Sequence, residues 1–124
     1  MPALLLLVAI CGMIACEGGQ GMEVELDAFS GRPNPRWKVP PQRAAEYLKK
    51  IDSLPVASDA PHIPDLGFRG FILKSGERSM RVFRERIIVE GGGSQRIYRD
   101  TGGIQAELMA EARKRGFESV VAGN

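Results

Sequence analysis

The chain reads as a small α+β domain: a mainly antiparallel sheet with two amphipathic helices on one of its faces. Three observations predict this. Residues 22–29 alternate like a half-buried strand. Residues 42–54 and 102–115 carry apolar side chains at helical spacing. Between 66 and 99, turn chemistry cuts the remaining apolar residues into short extended pieces.

The elements follow in order. In MEVELDAF, Met22, Val24, Leu26 and Ala28 face one way, and Glu23, Glu25 and Asp27 the other. SGRPNP at 30–35 is turn material: Gly31 admits positive φ, Pro33 and Pro35 fix φ, and Asn34 tolerates the left-handed region. Residues 36–39 form a second short extended piece. Pro40 and Pro41 stop it, and Pro41 suits the first turn of a helix. Over 42–54, Ala44, Tyr47, Leu48, Ile51 and Leu54 share a face, with Arg43, Glu46, Lys49, Lys50 and Asp52 largely opposite. Residues 55–64 hold three prolines and read as a loop.

Residues 66–74 and 79–83 read as strands around a turn at Ser75-Gly76-Glu77-Arg78. A continuous strand over 79–90 has an inconsistent face: Met80 and Val82 are even, while Phe83, Ile87 and Val89 are odd. A bulge or tight turn near Arg84 and Glu85 resolves this, leaving 86–90 as a further strand. Residues 91–94 (GGGS) read as a flexible loop and 95–99 as a last extended piece. Asp100 or Thr101 then caps the second helix, whose apolar face is Ile104, Leu108, Met109 and Ala112. Gly116 ends that helix, Phe117 packs back, and residues 119–124 fray.

Length and composition fit one domain. The chain has 124 residues, 44% hydrophobic and 26% charged, with a formal net charge of +2, which argues against gross disorder. Both cysteines lie in the single long apolar run, residues 3–16, so a disulfide-rich scaffold and a multi-span membrane protein are excluded. One histidine makes a His-based metal cluster implausible.

That apolar run reads as an export signal. It is too short for the ~20 residues of a comfortable span, and Glu-Gly-Gly-Gln-Gly follows it. It ends Met13-Ile14-Ala15-Cys16, with an apolar residue three before a cysteine and a small residue just before it. This resembles the lipobox of bacterial lipoproteins, over residues 1–16 only. The resemblance implies a signal peptide at 1–15, cleavage before Cys16, acylation of Cys16, and residues 16–21 as a lipidated tether to a domain at 22–118. The departures are Met13 where leucine is commonest and an n-region without Lys or Arg. The alternative is a plain secretory peptide or an uncleaved anchor. By the sorting rule of enterobacteria-like envelopes, Glu17 in place of Asp favours the outer membrane over the inner one. With Cys16 acylated no thiol remains for a disulfide, and the 109 residues left must be held by packing.

Three features of the remaining chain invite a functional reading. FSGRPNPRW at 29–37 packs two Arg, an Asn and the only Trp into nine residues, so Arg32, Asn34, Arg36 and Trp37 are candidates for binding a ligand or partner. The competing reading is structural, with Trp37 in the core and the prolines shaping a corner. Second, residues 66–99 carry a net charge of +5 through Arg69, Lys74, Arg78, Arg81, Arg84, Arg86, Arg96 and Arg99. Such a face could meet an anionic envelope component, while nucleic acid is the wrong partner for an exported protein. A solvated strand face is the simpler alternative. Third, Asp100-Thr101-Gly102-Gly103 opens a helix and could bind an anion, although no phosphate fingerprint is complete.

Catalysis has little support. His62 has Asp59 and Asp65 nearby, but no GxSxG elbow exists and nothing places Ser30 or Ser58 beside it. No cofactor or metal is implied. The sequence therefore predicts a lipid-anchored cell-envelope protein, a binding or scaffolding module. The alternatives are a small envelope hydrolase using His62 and nearby acids, and a purely structural lipoprotein.

Overall fold

The computed structural model describes residues 21–122. They form a six-stranded, wholly antiparallel open sheet with three helices. The strands are β1 (Met22–Leu26), β2 (Arg36–Val39), β3 (Phe71–Ser75), β4 (Arg78–Phe83), β5 (Arg86–Gly91) and β6 (Ser94–Arg99). Their order across the sheet is β2-β1-β3-β4-β5-β6. The helices are α1 (Pro41–Asp52), between β2 and β3, then α2 (Ile104–Lys114) and α3 (Glu118–Val121) after β6.

Alternation and register build the core. Val24 lies opposite both Trp37 and Leu73, Leu73 opposite Met80, Phe71 opposite Val82, and Val82 opposite Ile87. These side chains share one face, and Ala44, Tyr47 and Ile51 of α1 and Leu108, Met109 and Ala112 of α2 join them in one cluster. The two long helices are linked outside the core by Lys50, whose Nζ donates to Glu107 at 2.8 Å. Pro41 occupies the first turn of α1, where its missing N–H costs nothing.

The three hairpins of the meander all turn on two residues. Ser75 pairs with Arg78, Phe83 with Arg86, and Gly91 with Ser94. Arg84 and Glu85 both take positive φ (50° and 62°), as a two-residue turn of the required twist demands. This tight turn moves the inward positions from even (Met80, Val82) to odd (Ile87, Val89). The start of the second helical segment steadies it, since Gln105 Oε1 accepts from Glu85 N at 3.0 Å and Glu85 O accepts from Asp100 N at 2.9 Å.

Some segments differ from expectation. The 66–74 strand begins only at Phe71, because Gly67 and Gly70 turn the chain with φ of 84° and 101° and Phe68 enters the core. The 91–94 stretch is a tight turn rather than a flexible loop, since Gly92 and Gly93 both supply positive φ. The tail expected to fray forms α3, with Val121 fully buried. The helices expected at 42–54 and 102–115 span 41–52 and 104–114.

Among the described residues, no helix covers the sheet's second face. A strap of chain crosses it between α1 and β3. Near its start, Arg99 N donates to Pro55 O (2.9 Å) and Ala57 N to Ile97 O (2.8 Å), covering part of the β6 edge. Arg86 of β5 then holds Asp59, with Nη2 3.1 Å from Oδ1. The strap ends where Arg69 reaches back to the end of β1.

Candidate functional site

The strap face and the 27–35 loop meet at Asp27, just beyond β1 and 8% exposed. Arg69 donates to Asp27 Oδ1 from Nε (3.1 Å) and Nη2 (2.9 Å), and Arg81 donates to Oδ2 from Nη1 (2.8 Å). Burial alone would raise this carboxyl. The hydrogen bonds from Arg81 and Arg69, with their charges, outweigh that and hold it below the usual carboxylate range. The backbone is tied in as well: Arg69 donates to Phe29 O, and Arg81 to Arg69 O.

Asn34 completes the base of the loop. Its Oδ1 accepts from Ala28 N (3.0 Å) and Phe29 N (2.8 Å), and its Nδ2 donates to Glu25 (2.8 Å) and Asp27 (3.3 Å). An amide can satisfy two backbone donors and two carboxylate acceptors at once, which an Asp carboxylate, an acceptor only, could not do. The loop is thereby fixed from below, while its tip, 30–32, is exposed.

The four sequence candidates do not converge on one surface. Asn34 is spent on the loop itself. Arg36 and Trp37 are neighbours on a strand, so they point to opposite faces. Arg36 lies on the strap face, 3.6 Å from Glu25. Trp37 is 6% exposed in the core, edge-on to Phe71 at 6.4 Å, with the Arg115 guanidinium 5.0 Å from its ring. The ring is largely enclosed and packs with the core cluster. Arg32 is exposed and stacks on Phe29 at 4.0 Å.

The basic stretch of the sequence is largely neutralised by folding. Arg69 and Arg81 meet Asp27, Lys74 meets Glu25, Arg78 meets Asp52, and Arg86 meets Asp59. The acidic first part of the chain thus supplies the counter-charges for residues 66–99. Among the described residues Arg32, Lys38, Lys49, Arg84, Arg96, Arg99 and Lys114 have no ion-pair partner. Of these, Arg32, Arg84 and Arg99 lie at one end of the sheet, where β1 ends, β4 turns into β5, and β6 ends, while Arg96 lies further along β6, opposite Val89.

The helix start that could have bound an anion already holds one. The Asp100 carboxylate accepts from Ile104 N (2.9 Å) and Gln105 N (2.7 Å), occupying the groups a phosphate would need. His62 is exposed and makes no hydrogen bond or ion pair among the described residues. Asp59 is committed to Arg86, and Asp65 lends its carbonyl to Arg69. No group of three or more His, Cys, Asp or Glu residues among those described could hold a metal. Cys16 lies outside the described residues.

Periodicity could not reveal Asp27 as the centre of this arrangement. It reads as the third acidic residue of a solvated strand face, and its partners stand 42 and 54 residues away. Comparison with protein-family models, curated proteins and solved structures finds no match.

Proposed function

We propose that this chain is a lipid-anchored cell-envelope protein whose domain is a binding module, presenting its loop end to an anionic envelope component or protein partner. The observation that carries the reading is the distribution of unpaired charge. Folding pairs five of the eight cations of the basic stretch, and of the three left, Arg84 and Arg99 stand with Arg32 at the end of the sheet where the 27–35 loop is pinned. A loop ordered before it meets a partner loses less entropy on binding. The anchor is consistent with this placement. β1 begins at the opposite end of the sheet, six positions after Cys16, so the loop end stands away from the tether's root.

The burial of Trp37 favours the rival reading of a purely structural lipoprotein. Two measurements separate the readings. Mass spectrometry of protein from membranes should find acyl chains on Cys16, and Cys16→Ser should abolish both them and membrane attachment. Titration with dextran sulfate should show saturable, salt-sensitive binding that Arg32→Glu/Arg84→Glu weakens by about ten-fold or more. An acylated protein with no such binding is the structural lipoprotein. Binding without acylation removes the anchor and keeps the module.

A further inference from the structure

The strap face breaks the polar pattern of an open sheet. By register, Ile72, Arg81, Ile88 and Ile97 form one cross-strand row on it, and Lys74, Ser79, Glu90 and Gln95 form the next. The three isoleucines are only half-buried. Above the rows runs Ile63, held between Pro61 and Pro64. Between strap and sheet lies a cavity of about 250 Å³, with Ile63, Ile72 and Ile88 among its walls and Arg81, Ser79 and Glu90 beside them.

Arg81 gives this cavity its chemistry. Its Nη1 is used on Asp27 and on the Arg69 carbonyl, which fixes the guanidinium plane. Its Nε and Nη2 make no hydrogen bond among the described residues, and neither does the Ser79 hydroxyl. Two guanidinium charges meet the one carboxylate of Asp27, while Glu90, held by the neutral Gln95 amide, is a second carboxylate in the lining, so the attraction for an anion rests on the free donors of Arg81 and not on net charge. A fixed guanidinium with free donors suits a carboxylate, and the isoleucines suit a short hydrocarbon chain. The cavity is near the small end of the range that holds drug-sized ligands, which limits the chain to a few carbons.

We propose that this strap-roofed cavity is a binding site for a small aliphatic carboxylate, its head group on Arg81 and Ser79 and its chain along Ile63, Ile72 and Ile88. The site does not depend on Cys16, and it shares only Arg81, through Asp27, with the base of the 27–35 loop. Full-length protein in lipid nanodiscs, with labelled isoleucine methyl groups, is titrated with hexanoate and separately with hexanol, empty nanodiscs serving as the partition control. Saturable shifts of the Ile72 and Ile88 methyls are expected with hexanoate, and binding about ten-fold weaker with hexanol, since a charged hydrogen bond is lost. Ile63→Trp fills the cavity without touching an ion pair and should remove the hexanoate shifts. Arg81→Met should weaken binding by about ten-fold or more. If that variant fails to fold, Ile63→Trp alone decides. Equal binding of hexanol and hexanoate, the absence of saturable shifts, or hexanoate binding unchanged in Ile63→Trp would overturn the proposal.

Discussion

The two faces of the sheet are covered by different means. On the helix face, Val24, Leu26, Phe71, Leu73, Met80, Val82 and Ile87 are fully or almost fully enclosed by apolar neighbours. On the strap face, carboxylates and guanidiniums are satisfied by one another under an irregular chain, and isoleucines remain half-exposed. No buried side-chain polar atom among the described residues lacks a partner. The difference teaches a division of labour. Non-directional burial on the helix face carries stability, and directional hydrogen bonds on the strap face set the shape of the 27–35 loop.

The sharpest way to break this comparison uses neighbours on one strand. Leu73 points to the helix face and is fully buried, while Ile72 points to the strap face and is half-buried. Leu73→Ala should cost ~3 kcal/mol in urea unfolding, the range for a large-to-small change in a packed core. Ile72→Ala should cost only ~1 kcal/mol, because less surface is lost from the interior. Equal costs would mean that the strap packs the second face as a core.

Asp27→Asn tests the polar side at its most buried point. It leaves two guanidiniums facing a neutral amide in a site screened from water, and should cost ~2–3 kcal/mol near neutral pH. The pH dependence has a definite sign. Because the folded carboxyl titrates below its usual value, its contribution is complete above the unfolded value of about 3.9 and is lost as pH falls through the folded one. Acid titration of stability should therefore be flatter in Asp27→Asn than in the wild type below about pH 4. An unchanged acid limb would show that other carboxylates govern it.

Asn34→Ala should cost less, ~1–2 kcal/mol, by freeing the amides of Ala28 and Phe29. Its larger effect should be on the loop: amide exchange at Phe29 should rise well above any change at Leu73. A uniform rise across the sheet would contradict local pinning.

The same contrast decides what could be read in advance. The helix face was legible because alternation and helical spacing are local signals, written within a few residues of each other in β1, α1 and α2. The turn at Arg84 and Glu85 was legible from the switch of inward positions, although neither residue type favours positive φ. The strap face was not legible, because its partners are set by topology: Asp27 meets Arg69 and Arg81 only once β3 and β4 lie beside β1. FSGRPNPRW was visibly special, yet spacing could not tell that Asn34 serves its own loop or that Arg36 and Trp37 part to opposite faces. The basic stretch looked like a surface because the carboxylates that neutralise it lie elsewhere in the chain.

The smallest expected effect concerns the strap itself. Arg86 grips Asp59 with Nε and Nη2 at 3.1–3.3 Å, with Arg86 mostly covered and Asp59 mostly exposed. An ion pair with one exposed partner contributes little, so Arg86→Ala should lower global stability by about 1 kcal/mol or less. The strap, however, has few other holds near this point. One of them, the hydrogen bond from Ala57 N to Ile97 O, belongs to a segment that can open without unfolding the helix side. Hydrogen exchange at Ala57 should accelerate in Arg86→Ala while the amides of Leu73 and Met80 stay at the rate set by global unfolding. If Ala57 and Leu73 accelerate together, the strap is part of one cooperative unit, and the division between the two faces is one of chemistry alone.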